Sequence, residues 1–177
     1  MVIARDDETS FGILQSRFHE GWALATGSWH GVGNDPRYTP STTFETFPFP
    51  DGLTPDRPAV SYAEDARAQA IACAAQALVA ARDRWLNPAE LVQHIPEVVP
   101  GFPDRIVPKD EAAAAILRTR TLTSLYNTRG KPEGAWLDAL HRTLDVAVAA
   151  AYGWPDDIAD DDVLARLLAL NHARASA

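Results

Sequence analysis

The stretch EGAWLDALHRTLDVAVAAAYGWP, residues 133–155, decides the fold class of this chain. Its apolar residues recur at the spacing of one helical face, which predicts a buried helix from Glu133 to Tyr152. Gly153 and Pro155 are expected to end this helix, because glycine accepts the left-handed conformation past a helix end and proline cannot continue a helix. The predicted buried stripe consists of Trp136, Leu140, Leu144, Ala147 and Ala151.

The sequence before this stretch predicts further helices joined by a linker. Ser61-Tyr62-Ala63-Glu64 has the spacing of a capping box, which predicts the start of an alanine-rich helix that runs to about Trp85. Asn87-Pro88-Ala89-Glu90 predicts a short helical restart, with asparagine as the cap and proline in the first turn. The segment from Pro96 to Pro108 holds four prolines and a glycine, and is therefore expected to be a surface linker.

Two more helices are predicted in the second half of the chain. Asp110 is expected to cap a helix that runs to about Tyr126, and residues 127–132 are expected to form a turn. The last helix is predicted to start near Asp160 or Asp161, where acidic residues favour the positive end of the helix dipole. Its predicted buried residues are Val163, Leu164, Leu167 and Leu168.

The first sixty residues differ from the rest in composition. Residues 9–25 predict one amphipathic helix with Thr9 as a possible cap, and its apolar face holds Phe11, Leu14, Phe18, Trp22 and Ala25. Residues 27–58 are rich in Gly, Pro, Thr, Ser and aromatic residues, which predicts loops around a few short strands such as TTFETF, residues 42–47. The predicted fold is mainly α, with a small α+β amino-terminal lobe to about residue 58 followed by a bundle of four or five helices.

Composition and charge limit the class of protein. The chain has 177 residues, of which 46% are hydrophobic and 23% are charged, values typical of a globular protein. Its net charge of −8 opposes nonspecific nucleic-acid binding, because backbone affinity comes from Lys and Arg. The amino terminus lacks the apolar run of a signal peptide and no segment approaches a membrane span, so we expect a soluble cytoplasmic protein. The single cysteine, Cys73, argues against disulfides, and its alanine-rich surroundings predict a buried apolar side chain.

The sequence lacks the motifs of the common catalytic and metal centres. Gly31-Val32-Gly33 is not placed between a strand and a helix as a methyltransferase cofactor loop would be, and Asn87-Pro88-Ala89-Glu90 lacks the second proline and the aromatic residue of a base-holding tetrad. No acid stands two residues before Lys109 or Lys131, as a common nuclease motif requires. The histidines are too far apart in sequence to predict a zinc pair, and they are His19, His30, His94, His141 and His172. We therefore expect no catalytic, cofactor-binding or metal site in this chain, and a partly buried, hydrogen-bonded His141.

The segment GVGNDPRYTPSTTFETFPFP, residues 31–50, has the polar chemistry that best suits contact with DNA. Arg37 is a planar donor that can bind the two acceptors of guanine, and hydroxyl groups can bind phosphates or base edges. The other interpretation is a proline-rich surface loop whose hydroxyls close turns, with Arg37 paired to Asp35 or Glu45. The residues with DNA-binding chemistry are Arg37, Tyr38, Thr39, Ser41, Thr42 and Thr43.

A second cationic segment lies between residues 112 and 131, which contain no acid. Its cations are Arg118, Arg120, Arg129 and Lys131. Arg118 and Arg120 are possible phosphate contacts. They are explained equally well as cations that stabilise the carboxyl end of a helix through its dipole.

Five blocks of sequence resemble one known family when taken together. They are FGILQSRFHEGWAL (residues 11–24), GVGNDPRYTPSTTFETFPFP (31–50), LTSLYNTRG (122–130), AWLDALHRTLDVAVAAAYGWP (135–155) and LARLLALN (164–171). In the same order, such blocks resemble the carboxy-terminal end of the MmeI-like restriction-modification methyltransferases. That family carries, in one polypeptide, a nuclease, a helical spacer, an S-adenosylmethionine-dependent adenine-N6 methyltransferase, a target-recognition domain and a helical carboxy-terminal domain.

The resemblance implies a DNA target-recognition fragment without a catalytic centre of its own. Residues 1–58 would be the end of the target-recognition domain and residues 59–177 the helical carboxy-terminal domain. The implied partners are double-stranded DNA and a methyltransferase catalytic domain in cis or in trans, and S-adenosylmethionine would belong to that catalytic domain. The resemblance places the best base contact at Asp35 and Arg37, and it implies that the FPFP block packs inside the domain.

A different class of function remains open at this point. The chain could instead be an acidic helical module that docks onto a methyltransferase core and does not touch DNA. Salt-dependent binding of duplex DNA would favour target recognition, whereas tight association with a methyltransferase core and no DNA affinity would favour the docking module.

Overall fold

Most of the chain is helical, and two short β-hairpins lie between the helices. This computed structural model describes residues 5–31 and 35–176. Within these ranges the α-helices are α1 (Glu8–Gln15), α2 (Arg17–Thr26), α3 (Pro40–Thr43), α4 (Ala66–Leu86), α5 (Glu111–Leu117), α6 (Leu122–Tyr126), α7 (Ala135–Tyr152) and α8 (Asp160–Ala175). The strands are β1 (Ser28–His30), β2 (Asp35–Arg37), β3 (Val92–Ile95) and β4 (Arg105–Pro108). The predicted mainly α fold with a small α+β amino-terminal lobe is confirmed.

The chain forms two compact units. The first consists of residues 1–76 and 141–177, and the second of residues 77–140. The cuts fall inside α4 and α7, so each of these helices contributes residues to both units. The assignment of residues 1–58 to a recognition domain and of residues 59–177 to a helical domain stays a prediction.

The core of the first unit is built from long apolar side chains on α1, α2, α4, α7 and α8. Gly12 lets α1 approach α4 closely, because a Cβ atom at this position would lie 2.7 Å from Ile71 Cγ2 and 3.1 Å from Ala75 Cβ. The fully buried residues of this core include Ile13, Phe18, Ile71, Leu144, Val148 and Leu167.

The FPFP block is part of the same core. Phe47 and Phe49 are buried and their rings pack edge to face with centroids 4.9 Å apart. The backbone around them is held from two helices, because the Tyr152 hydroxyl donates to the Pro48 carbonyl over 3.1 Å and Arg174 Nη1 donates to the Phe49 carbonyl over 2.8 Å. The expectation that these two phenylalanines pack inside the domain is confirmed.

The second unit combines the β3–β4 hairpin with α5, α6 and the adjoining ends of α4 and α7. β3 and β4 pair antiparallel, from Val92 opposite Pro108 to Ile95 opposite Arg105. The Asp110 side chain accepts a hydrogen bond from the Ala113 amide over 2.8 Å and caps α5 as expected.

The helix predicted from Asp110 to Tyr126 is in fact two helices. α5 ends at Leu117, and α6 starts with its own cap. The Thr121 hydroxyl accepts from the Ser124 amide, while the Ser124 hydroxyl accepts from the Thr121 amide. These two bonds satisfy backbone amides that a continuous helix would have paired internally, and so they favour the break.

The single helix predicted for residues 9–25 is also wrong. It is broken at Ser16, whose backbone is extended (ψ 158°) and whose hydroxyl donates to the Ile13 carbonyl over 2.6 Å. Asp7, not Thr9, caps α1 by accepting from the Ser10 amide. The break changes the phase of the apolar face, so Phe18 and Trp22 are buried whereas Phe11 and Ala25 are exposed.

Two other local predictions fail because helical turns begin at nearby residues instead. TTFETF does not form a strand, since Pro40 fixes the first turn of α3 and the Thr39 carbonyl accepts from the Thr43 amide. The Ser61–Glu64 capping box does not form either. Residues 59–62 make a 3-10 turn, and α4 starts after Asp65, whose carboxylate accepts from the Arg67 amide over 2.9 Å.

The region between α4 and α5 is more regular than expected. Asn87-Pro88-Ala89-Glu90 makes a single turn rather than a helix, with the Leu91 amide donating to the Pro88 carbonyl. The predicted linker from Pro96 to Pro108 includes β4, because Arg105–Pro108 pairs with β3. Proline is compatible with this position because a two-stranded hairpin has only edge strands.

Burial corrects three predictions about side chains. Cys73 is exposed, because it lies on the outer face of α4, whereas its neighbours Ile71 and Ala74 lie on the buried face. Leu168 is 48% exposed although Val163 and Leu167 on the same helix are buried as predicted. On α7 the fully buried or nearly buried stripe is Leu137, His141, Leu144, Val148 and Ala151, so the predicted positions Trp136, Leu140 and Ala147 lie at its edge. Gly153 follows α7 with a left-handed φ of 71°, as its predicted end requires.

Candidate nucleic-acid interface

The first hairpin carries the residues that the sequence predicts to contact DNA. β1 and β2 pair antiparallel, with Ser28 opposite Arg37 and His30 opposite Asp35. Gly27 makes this arrangement possible where α2 ends, because a Cβ atom there would lie 2.6 Å from the Ala23 carbonyl oxygen and 2.9 Å from the Arg37 carbonyl oxygen. The backbone of the hairpin therefore lies against the end of α2.

One face of this hairpin is polar and exposed. Side chains alternate between the faces of a strand, so Ser28, His30, Asp35 and Arg37 share one face while Trp29 lies on the other. All of these residues are exposed. A cation, an anion and an imidazole are thus presented together.

Arg37 is paired differently from either predicted alternative. Its Nη1 donates to His30 Nε2 over 3.1 Å, and because a guanidinium cannot accept, the His30 ring must accept with Nε2 unprotonated. Among the described residues, Arg37 makes no ion pair with Asp35 or Glu45, so the predicted pairing with a carboxylate is wrong. A guanidinium has five donor hydrogens, and a single bond to His30 leaves most of them available for a ligand.

The hydroxyls that follow β2 are partly used to close local structure. Thr39 Oγ1 lies 3.1 Å from Ser28 Oγ, and Thr42 Oγ1 donates to the Thr39 carbonyl over 3.2 Å. Thr43 is buried and also donates to the Thr39 carbonyl. Ser41 is exposed on α3. These contacts agree with turn-closing hydroxyls at Thr42 and Thr43, and they leave Ser41 accessible to solvent.

Tyr38 connects the hairpin to a buried histidine that the sequence did not single out. Tyr38 is 45% exposed, and its hydroxyl lies 3.0 Å from Nε2 of the buried His19. Burial lowers the pKa of His19 to about 4, so its ring is neutral near pH 7. Burial also raises the pKa of Tyr38. The His19 and Phe47 rings pack edge to face with centroids 4.7 Å apart. His19 therefore joins the hairpin exit, which is Tyr38 directly after β2, to the core of the first unit.

Arg118 and Arg120 belong to the second unit and have different surroundings. Arg118 is exposed and follows the last residue of α5. Arg120 is half-buried, donates from Nη1 to the Trp85 carbonyl over 2.6 Å, and holds its guanidinium 5.1 Å from the centre of the Trp85 ring. Arg120 therefore has a structural role that the sequence did not predict, whereas Arg118 is accessible to a phosphate.

Metal, cofactor and membrane features are stated for residues 5–31 and 35–176. No group of three or more His, Cys, Asp or Glu residues there could hold a metal ion. Of Gly31-Val32-Gly33, only Gly31 is described, with a left-handed φ of 65°, and Val32 and Gly33 lie outside the described residues. None of the described helices combines the length and apolar character that crossing a membrane requires. His141, which was expected to be partly buried, is 5% exposed.

Comparison with known proteins gives one informative likeness. No family model matches the sequence, and no curated protein matches it. Among solved structures, the chain is similar to the Type IIL restriction-modification enzyme MmeI in its complex with DNA, with a TM-score of 0.57 and 20% sequence identity. The likeness covers 97% of this chain but 17% of that enzyme, so this chain spans about a sixth of its length. The chain therefore has the fold of a segment of a restriction-modification enzyme.

Proposed function

We propose that this chain is the target-recognition end of a longer restriction-modification adenine-N6 methyltransferase, and that the β1–β2 hairpin faces DNA. The observation that carries the proposal is the likeness of nearly the whole chain to a segment of an enzyme solved with DNA. The resemblance of the sequence blocks to the MmeI-like family supports the same assignment. Catalysis and cofactor binding would belong to the remainder of the enzyme, and the partner of this chain would be a methyltransferase catalytic domain in cis or in trans.

Within this proposal Arg37 reads a base. Its side chain is exposed, it lies on the polar face of a hairpin, and its Nη1 donates to His30. A guanidinium fixed in a plane can bind guanine O6 and N7 together. Asp35, on the same face, can accept a hydrogen bond from a cytosine amino group. Contacts to the DNA phosphates, which position the protein on the duplex, would come from Tyr38, Thr39, Ser41, Thr42 and Arg118.

Replacing Arg37 by alanine should relax specificity at one base pair of the target site. The expected cost is about 1–3 kcal/mol of discrimination at that position, because a bidentate contact is lost. The measurement is methylation of DNA sites varied at each base pair, by a longer enzyme that carries this segment or by a complex reconstituted with a methyltransferase core. Arg142→Ala is the control, because Arg142 is an exposed arginine of α7 and is not part of the hairpin. Unchanged site preference with unchanged activity for Arg37→Ala would remove the recognition role.

The isolated chain should neither bind S-adenosylmethionine nor methylate DNA. The reason is that its sequence contains neither the glycine-rich cofactor loop after a strand nor the Asn/Asp-Pro-Pro-aromatic tetrad. Isothermal titration calorimetry with the cofactor should give no binding heat, and a methylation assay should give no product. Micromolar cofactor binding would contradict the proposed division of roles between this chain and a catalytic domain.

A second function is favoured by a specific feature of the second unit. The connection between β3 and β4 exposes three large apolar side chains, Val98, Val99 and Phe102, while the exposed Ile95 and Ile106 lie on opposite faces of the hairpin. Exposed apolar clusters of this kind mark protein interfaces. In this alternative the chain docks onto a methyltransferase core without touching DNA. Loss of that association in Phe102→Ser, together with no salt-dependent binding of duplex DNA by the unmodified chain, would favour the alternative over the recognition role.

A further inference from the structure

An open groove of about 940 Å³ lies within the second unit. Two half-buried indoles, Trp85 near the end of α4 and Trp136 near the start of α7, form parts of its wall, together with the half-buried Leu140. A groove of this volume is large enough for a compact organic ligand. Because the groove is open and both indoles are half-buried, part of each indole is accessible to solvent.

One of the two indoles, Trp85, has a guanidinium over one face of its ring. The Arg120 guanidinium lies 5.1 Å from the centre of the Trp85 ring, and the same side chain donates to the Trp85 carbonyl over 2.6 Å. The cation and the backbone bond together restrict both side chains. The Trp85 ring is therefore pre-organised, which lowers the entropic cost of stacking a ligand on it.

The polar groups at the groove are available to a ligand. Arg84 is exposed, and Asn87 is half-buried; neither side chain has a hydrogen-bond or ion-pair partner among the described residues. Glu90 is the single carboxylate in the lining, against two guanidinium groups. An arginine can bind a phosphate, and an asparagine amide can both donate to and accept from the edge of a base.

The charge of the second unit also suits an anionic ligand better than the total charge suggests. Residues 77–140 contain eight Lys and Arg and eight Asp and Glu, so the whole net charge of −8 falls on the first unit. The segment from Ala112 to Lys131, which contributes Arg120 to the groove, has no acid. Long-range repulsion of a nucleic acid is therefore weakest at this unit.

We propose that this groove binds an unpaired nucleotide, with the base stacked on an indole and its phosphate held by Arg84. Aromatic stacking platforms combined with nearby cations are the usual means of binding single-stranded nucleic acids. A base within a duplex cannot use the groove, because both of its faces are covered by neighbouring bases. An apolar peptide would fill the groove but would leave Arg84 and Asn87 without partners. The site is independent of the role proposed for the β1–β2 hairpin, since all of its residues belong to the other unit.

The test uses the intact chain and a single-stranded oligodeoxyadenylate of about eight nucleotides, a length within the range of known single-strand sites. The indole N–H signals of the five tryptophans, assigned with single Trp→Phe variants, report where the oligonucleotide binds. Addition should shift the signals of Trp85 and Trp136 and leave that of the buried Trp22 unchanged. Arg84→Gln should weaken binding by about tenfold without changing the melting temperature, because the side chain is exposed. Lys131→Gln, which removes an exposed cation of the same unit outside the groove, should weaken binding less than about twofold.

Three results would overturn the assignment. The first is no shift of either groove indole with the oligonucleotide. The second is an equal shift with a blunt duplex of the same length, since that would show binding to phosphates alone. The third is the same pair of shifts with a poly-glutamate peptide, which would assign the groove to acidic protein segments. None of these results depends on whether Arg37 contributes to target recognition.

Discussion

Replacing Leu144 by alanine should destabilise the protein by about 2–5 kcal/mol, among the largest effects of any single truncation. Leu144 is fully buried at the middle of the α7 stripe, between His141 and Val148. Its truncation removes apolar contacts and leaves a cavity that the surrounding helices can fill only in part. Urea denaturation followed by circular dichroism measures the loss, provided that the slope with denaturant stays the same.

Leu168→Ala is the matched control for this experiment. It removes the same atoms from α8, but Leu168 is 48% exposed, so the expected loss is within about 0.5 kcal/mol. The comparison is informative because the sequence predicts that both leucines are buried. If Leu168→Ala cost as much as Leu144→Ala, the orientation of α8 described above would be incorrect.

Helical periodicity predicted the fold class and most helices because it repeats over many residues. α7 extends over five turns of apolar sequence, and its end at Gly153 follows from a residue type that accepts a left-handed φ. The same signal does not fix the exact phase of the buried stripe. An apolar face more than 100° wide leaves neighbouring positions such as Trp136 and Leu137 equally compatible with the pattern. Packing decided between them, and Leu137 is the buried one.

Breaks and hairpins were harder to predict, because they depend on single hydrogen bonds or on distant partners. The Ser16 hydroxyl competes with the helical backbone and divides a continuous apolar pattern into α1 and α2. The prolines and short length of the β4 segment are typical of loops, so its sequence predicts a linker. A local pattern cannot reveal that β4 pairs with β3, because residues 96–104 separate the two strands.

The candidate interface was predictable in its composition but not in its contacts. The sequence placed Arg37 among exposed polar residues, and the structure agrees. Its bond to His30, seven residues earlier, exists only because the hairpin register puts both side chains on one face. The contact of Tyr38 with His19 requires α2 to pack beside the hairpin exit, which no local pattern reveals.

His19 should make the protein progressively less stable as the pH falls below about 6.5. Burial lowers its pKa in the folded state from 6.5 to about 4, so the unfolded chain binds a proton more readily than the folded one in this window. The stability contributed by neutral His19 is fully present above 6.5, the pKa of the unfolded state. This stability is lost as the pH falls toward 4, and it does not change further below that value. At 1.36 kcal/mol per pKa unit, acidification from pH 7 to 4.5 should remove roughly 2 kcal/mol through this residue.

The measurement compares the pH dependence of unfolding free energy in the unmodified chain and in His19→Gln. Glutamine does not titrate, and its amide can still bond the Tyr38 hydroxyl, so the variant should lose less stability between pH 7 and pH 4.5. The difference between the two slopes isolates His19 from the carboxylates, which titrate in both proteins. Protonated His19 would place a charge in apolar surroundings beside the Phe47 ring, with Nδ1 buried and without a partner among the described residues. Identical slopes for the two proteins would mean that His19 is protonated or solvated in the folded chain, and that the hairpin exit at Tyr38 is more open than its 3.0 Å contact with His19 indicates.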